Sequence, residues 1–162
     1  MIDLRRILVA TDFGETSTAA LQYGVGLAQR FDAELYLFHA IDHQSDAVDA
    51  EYPVGLLETM HNTAHDHLRR LVSADELREI EPHCAVRVGP ASDEIVRYAN
   101  DCDVDLIVMG THGREGMMRA LMGSVAEKVV RRARCPVLTI HHPELELAMA
   151  SDSVQVPMYA IA

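Results

Sequence analysis

Five short runs rich in Val, Ile and Leu, namely Arg6 to Ala10, Leu35 to Ile41, Ala85 to Gly89, Leu106 to Gly110 and Pro136 to Ile140, recur between longer stretches of helical period. That alternation is the pattern of βα units around a parallel sheet. The first, second and fourth runs are nearly continuous rather than alternating, as expected for strands covered by helices on both faces. At 162 residues the chain has the length of one domain, able to bury roughly 70% of its unfolded surface.

The intervening segments carry helical spacing. One helix is expected from about Ser17 to Phe31, with Leu21, Gly24, Val25 and Ala28 on one face and Thr16 or Ser17 as cap. A second, from about Val54 to Ala74, shows a stripe of Leu57, Met60, Ala64, Leu68 and Leu71; the acidic segment Asp42 to Tyr52 before it reads as a mobile loop. A third, from about Ser92 to Asp101, gathers Ile95, Ala99 and Cys102 behind a Ser92 cap. A fourth begins near Ser124, turns Val125 and Val129 inward, and ends at Cys135 and Pro136. Beyond Pro143 the pattern dissolves. The expected organisation is therefore one domain over residues 1–143 and a tail over 144–162, disordered or paired with a partner, with alternation only in Ser153 to Val156.

Charge narrows the partners. Against 25 Asp plus Glu stand 14 Lys plus Arg, giving a net charge of −11, which argues against nonspecific binding to nucleic acid or anionic membrane. Lys128 is the sole lysine among those 14 cations, so a bound phosphate must be held mostly by something other than an ammonium group. Three widely spaced cysteines, Cys84, Cys102 and Cys135, match neither a disulfide framework nor a paired zinc motif. The apolar run Ile7 to Ala10 is too short for a signal-peptide core, and no segment approaches a membrane span. A cytoplasmic protein without membrane insertion is expected.

Four of the nine glycines fall between Gly110 and Gly123, directly after the fourth run. Glycine there lets the backbone take positive φ and lets a ligand approach amides with no Cβ in the way. Gly123 and Ser124 then open a helix whose free N–H groups and dipole favour an anion. Glycine-rich connections also serve as plain turns. The strand before and helix after supply the context a phosphate cradle needs, and a second polar loop, Thr11-Asp12-Phe13-Gly14, sits at the end of the first run. Open α/β sheets bind ligands beyond strand carboxyl ends where strand order reverses. A lysine-bearing P-loop is excluded, because Lys128 follows Ser124 by four residues instead of preceding it.

Arg6 to Asp12, Val108 to Gly113, Gly123-Ser124-Val125 and Cys135 to Leu138 together resemble the universal stress protein family over about residues 3 to 142. The spacing Gly-x2-Gly-x9-Gly-Ser, met by Gly110, Gly113, Gly123 and Ser124, resembles that family's ATP-binding branch. The resemblance implies a doubly wound α/β fold of the adenine nucleotide alpha hydrolase type: a three-layer sandwich around a five-stranded parallel sheet in order 3-2-1-4-5. It further implies ATP across the crevice between strands one and four. Ala10, Thr11 and Asp12 would border the nucleotide, with Asp12 near a Mg2+ or Mn2+ ion bridging the phosphates. Ala40 would meet the adenine through its backbone. Met109, Gly110, Thr111, His112, Gly113, Arg114 and Glu115 would wrap the ribose and α-phosphate, and Gly123, Ser124 and Val125 would hold the outer phosphates. A homodimer, or higher oligomer, through Pro136 to Ile140 is implied as well. Gly14 stands where many members have serine.

The function that follows is an ATP-binding regulatory or sensor protein of the stress response, acting on an unidentified regulatory partner. No general base is evident beside the outer phosphates, so fast hydrolysis is not expected. A nucleotide-independent interaction protein and a slow ATP hydrolase are the alternatives. An adenylate-transferring enzyme would be expected to show a Ser-Gly-Gly-type loop after strand one, and a phosphoacceptor receiver would need an acidic residue after strand three and a lysine after strand five, where Gly89-Pro90 and His141-His142 stand. His61 and His65 are one helical turn apart, whereas His67 points about 200° from His65, so the three read as a polar helix face. His39 reads as a packed, hydrogen-bonded histidine, His112 as shaping its loop, Arg114 as either a phosphate contact or a solvated cation, and the cysteines as buried packing groups. Met117, Met118 and Met122 would form either a lid or a partner surface.

Overall fold

The computed structural model describes residues 3–42, 55–72, 80–111 and 122–141. Along these the elements are β1 (Arg6–Ala10), α1 (Glu15–Phe31), β2 (Glu34–Ile41), α2 (Leu56–Val72), β3 (His83–Val88), α3 (Ala91–Asp101), β4 (Leu106–Gly110), α4 (Ser124–Arg132) and β5 (Val137–Ile140). All strand pairs are parallel, in order β3-β2-β1-β4-β5. Strand order therefore reverses between β1 and β4, whose register pairs Ala10 with Met109 and sets their carboxyl ends side by side.

Side chains alternate between faces along a strand, and here each face has its own apolar layer. Ile7, Val9, Leu35, Leu37 and Val108 pack with Ala20, Val25 and Ala28 of α1 and with Ala64 and Leu68 of α2. Leu8, Phe38, Ile107 and Met109 pack on the opposite face with Ile95 and Ala99 of α3 and Ala126 and Val129 of α4. Burial on both faces explains the continuous apolar runs of β1 and β4. Each fully buried Leu or Ile contributes about 1.5–3 kcal/mol.

Glycine decides how closely α1 approaches the sheet. A Cβ on Gly24 would lie 2.2 Å from Val9 Cγ2, and one on Gly110 would lie 3.0 Å from Thr16 Cβ and 3.1 Å from the Thr16 carbonyl carbon. Gly110 therefore serves helix-to-strand packing. The left-handed glycines among the described residues are Gly55 and Gly89, so the positive φ expected of Gly110 is corrected.

Helix starts also differ from the sequence expectation. α1 begins at Glu15 with Gly14 as N-cap, and Thr16 and Ser17 lie buried inside its first turn. α3 is capped by Pro90, with Ser92 buried within the helix. In neither helix does the N-cap residue supply a capping side chain; at the start of α3 the Ala91 N–H is taken by Asp42 Oδ2 at 3.1 Å. On α2, Ala64 and Leu68 are buried as expected, but Met60 is 38% exposed. The cysteines are half-buried rather than buried. Residues 43–54, 73–79 and 142–162, which hold most of the acidic loop, the remaining ends of the expected second helix and the tail, lie outside the described residues. No helix among the described residues is long and apolar enough to cross a membrane.

Candidate functional site

The crevice at the carboxyl ends of β1 and β4 is built from two loops and two helix N-termini. After β1, the Thr11 N–H donates to the Phe38 carbonyl at 2.9 Å, carrying the ladder one residue beyond the strand. The chain then turns sharply. Phe13 N–H donates to Thr11 Oγ1 at 3.0 Å, Thr11 Oγ1 donates to Ser17 Oγ at 3.0 Å, and Ser17 Oγ donates to the Gly14 carbonyl at 2.9 Å. Asp12 Oδ1 accepts the Gly14 N–H at 3.0 Å. The Asp12 carboxylate is thus tied to the residue that opens α1, in a half-buried position. A Cβ on Gly14 would lie 3.0 Å from Asp12 Oδ1, so a larger residue here would press on that carboxylate.

Ala40 belongs to the same edge. Because a residue two positions along a strand faces the same way, Ala40 directs its main-chain groups to the β1 side, as Phe38 does, but past the point where β1 turns away.

The second loop closes on itself. Thr111 N–H donates to the Ile140 carbonyl at 3.0 Å, and Gly123 N–H donates to the Thr111 carbonyl at 2.6 Å. Gly123 therefore stands at the end of β4. Gly123 is the N-cap of α4, in extended conformation at φ −69 and with no side-chain cap. The N–H groups of Ser124, Val125 and Ala126 precede the first intrahelical bond, from Glu127 N–H to the Gly123 carbonyl at 3.0 Å. Thr111 is 1% exposed and its hydroxyl pairs with His141 Nδ1 at 3.0 Å, so its side chain turns towards β5.

The structure thus brings Ala10, Thr11, Asp12, Ala40, Met109, Gly110, Thr111, Gly123, Ser124 and Val125 to one end of the sheet. Ala10, Met109 and Gly110 contribute backbone and packing, since Ala10 and Met109 are each 6% exposed. His112, Gly113, Arg114 and Glu115, with Met117 and Met118, lie outside the described residues. The chemistry on offer is anion-directed. Two helix N-termini face the crevice, each favouring negative charge by about 0.3–1 kcal/mol, beside one hard carboxylate. Among the described residues no three His, Cys, Asp or Glu gather as a metal cage, His61, His65 and His67 included. A lone Asp suits an ion such as Mg2+, which keeps several waters and takes one or two carboxylates together with phosphate oxygens.

Phe13, which the sequence marked only as part of a polar loop, and His39 join the site. Phe13 takes φ 63, a left-handed conformation that a bulky residue rarely adopts. Its ring lies 4.5 Å from that of His39 and 5.1 Å from that of His67. His39 Nδ1 stands 2.8 Å from the Thr11 carbonyl, bearing out the hydrogen-bonded reading of that histidine. No periodicity signals either feature, because both depend on the turn that brings residue 13 back over β2. The thiols stand apart from this chemistry. Burial pushes Cys84 and Cys135 above the ordinary thiol range, which disfavours the nucleophilic thiolate.

The profile of the universal stress protein family matches residues 3–141. Universal stress protein MJ0531 of Methanocaldococcus jannaschii is 33% identical over 144 residues, covering 88% of this chain and 85% of its own. Of solved structures, hypothetical protein MJ0577 superposes with a TM-score of 0.77 at 30% identity, covering 87% of this chain and 98% of its own. A universal stress protein solved in complex with cAMP shares the fold, with a TM-score of 0.56 at 24% identity over 86% of this chain and 98% of its own.

Proposed function

This chain belongs to the universal stress protein family, and from that premise we propose that it binds ATP with a divalent cation and acts as a nucleotide-dependent regulatory protein in the cytoplasm. The observation that carries the reading is the return of Gly123 to the end of β4 by its 2.6 Å bond to Thr111. It sets the uncapped N-terminus of α4 beside the β1 loop that holds Asp12. A protein of this fold takes cAMP, itself an adenine nucleotide.

In this reading the main chain of Ala40 meets the adenine, and the backbone around Ala10, Thr11, Met109, Gly110 and Thr111 borders the ribose and α-phosphate. His112, Gly113, Arg114 and Glu115 complete that wrap. At the helix start that Gly123 opens, the amides of Ser124 and Val125 would hold the outer phosphates, the Gly123 N–H being taken by the Thr111 carbonyl, and Asp12 would hold Mg2+ or Mn2+ directly or through a water. Bound magnesium would offset phosphate charge that a chain with one lysine meets otherwise through amides and helix dipoles.

The domain spans residues 1–143, with 144–162 as an appended tail. A homodimer forms through β5, an edge strand of the sheet. The carbonyls of Pro136 and Ile140 accept from β4 and the following loop, so the main-chain groups of Val137 and Thr139 face the open edge. Native mass spectrometry of the purified protein, before and after addition of ATP and Mg2+, tests the reading. A mass increment of one nucleotide per chain supports it, and a folded chain that gains none rejects it.

A further inference from the structure

We infer that His39 is a positioning residue for the loop after β1, acting through the Thr11 carbonyl to hold Phe13 and Asp12 in the geometry that faces the crevice. What the loop holds, ATP and its metal, rests on the nucleotide reading above; that the loop is held by His39 does not.

A carbonyl oxygen can only accept, so the 2.8 Å contact between His39 Nδ1 and the Thr11 carbonyl requires the proton to sit on Nδ1. That bond occupies the main-chain acceptor immediately before Asp12. Two residues further, Phe13 is left-handed at φ 63, and a bulky residue stays there only when its surroundings over-determine it. Three restraints do so. Its N–H is taken by Thr11 Oγ1 at 3.0 Å, its ring packs at 4.5 Å on His39, and His67 of α2 meets it edge-on at 5.1 Å.

His39 therefore fixes the loop twice, once by hydrogen bond to the residue before Asp12 and once by ring contact with the residue after it. Asp12 Oδ1 in turn accepts the Gly14 N–H, so the orientation of the carboxylate and the start of α1 are set together. Loss of the Nδ1 donor would loosen the Thr11–Asp12 peptide and the Phe13 turn that follows it while leaving the apolar layers intact, because His39 is half-buried at the sheet's end rather than within the core.

The test uses three variants chosen by donor position. In His39→Asn the side-chain amide nitrogen sits where Nδ1 does; in His39→Gln it sits nearer Nε2; His39→Leu has no donor. Amide hydrogen exchange of Phe13 and Gly14 is measured without nucleotide, then ATP affinity with Mg2+ by calorimetry. The inference expects the fastest exchange in the Leu and Gln variants, slower exchange in the Asn variant, which keeps the hydrogen bond but not the ring contact, and affinities about fivefold weaker in the first two. Nitrogen-15 NMR of the wild-type ring should show the Nδ1-protonated tautomer, a readout independent of any variant's folding. An Nε2-protonated ring, exchange unchanged in His39→Leu, or equal loss in all three variants would overturn the assignment. If the exchange order holds and wild type binds no ATP, the positioning role stands and the nucleotide reading fails.

Discussion

Two glycines in α1 predict opposite outcomes for the same substitution. A Cβ on Gly24 would strike Val9 Cγ2 at 2.2 Å, whereas one on the exposed Gly26 meets nothing within 4 Å. Gly24→Ala should therefore destabilise by about 1–3 kcal/mol through overpacking, and Gly26→Ala should stabilise by ~1 kcal/mol through helix propensity. Urea unfolding midpoints of the two variants check both signs. At the site, Asp12→Asn keeps an oxygen to accept the Gly14 N–H but removes the charge. It should leave the fold unchanged and weaken ATP binding in Mg2+ by about tenfold, ~1.4 kcal/mol, with little effect in the absence of divalent ion; calorimetry with and without Mg2+ separates the two. Asp12 was expected at the site because it lies in the polar loop after the first strand and because the family resemblance implies it. Phe13 was not, since its left-handed backbone arises from hydrogen bonds to Thr11 that no pattern of types reveals.

Elements were legible where burial is two-sided. β1 and β4 were expected with the bounds observed, because a run covered on both faces has no polar interruption. Helix starts were not legible. Ser and Thr suggest caps by their hydroxyls, but here Ser17 and Thr18 turn back to the Gly14 carbonyl from inside the first turn, and both candidate phosphate-binding ends are left without a side-chain cap. Across the amino ends of β1, β2 and β3, Tyr36 donates to Glu34 at 2.7 Å, and its ring stacks on His83 at 4.7 Å. That hydrogen bond, with lesser help from burial, pushes the Tyr36 phenol from 10.0 to about 12. Since folding favours the protonated phenol, its contribution is complete below 10.0 and is lost as pH rises towards about 12. Burial raises the Tyr98 phenol as well, so ultraviolet titration should show two tyrosines ionising late in wild type, and in Glu34→Gln the Tyr36 step should move back towards the ordinary value while that of Tyr98 stays.

At the scale of the molecule, the single lysine led to the expectation that any bound phosphate is held by main chain, and α1 and α4 begin without an N-cap side chain. The open edge of β5 carries a separate prediction. Thr139→Pro removes an outward N–H and spares the bonds to β4, so light scattering should report a monomer in place of the proposed dimer, with helix content unchanged. The glycine at the start of α4 bears most directly on the whole account. Calorimetric titration of ATP with Mg2+ into wild type and Gly123→Val should give saturable binding in the first and at least a tenfold loss, ~1.4 kcal/mol, in the second. Folded wild-type protein that releases no heat, or a valine variant that binds as well as wild type, would contradict it.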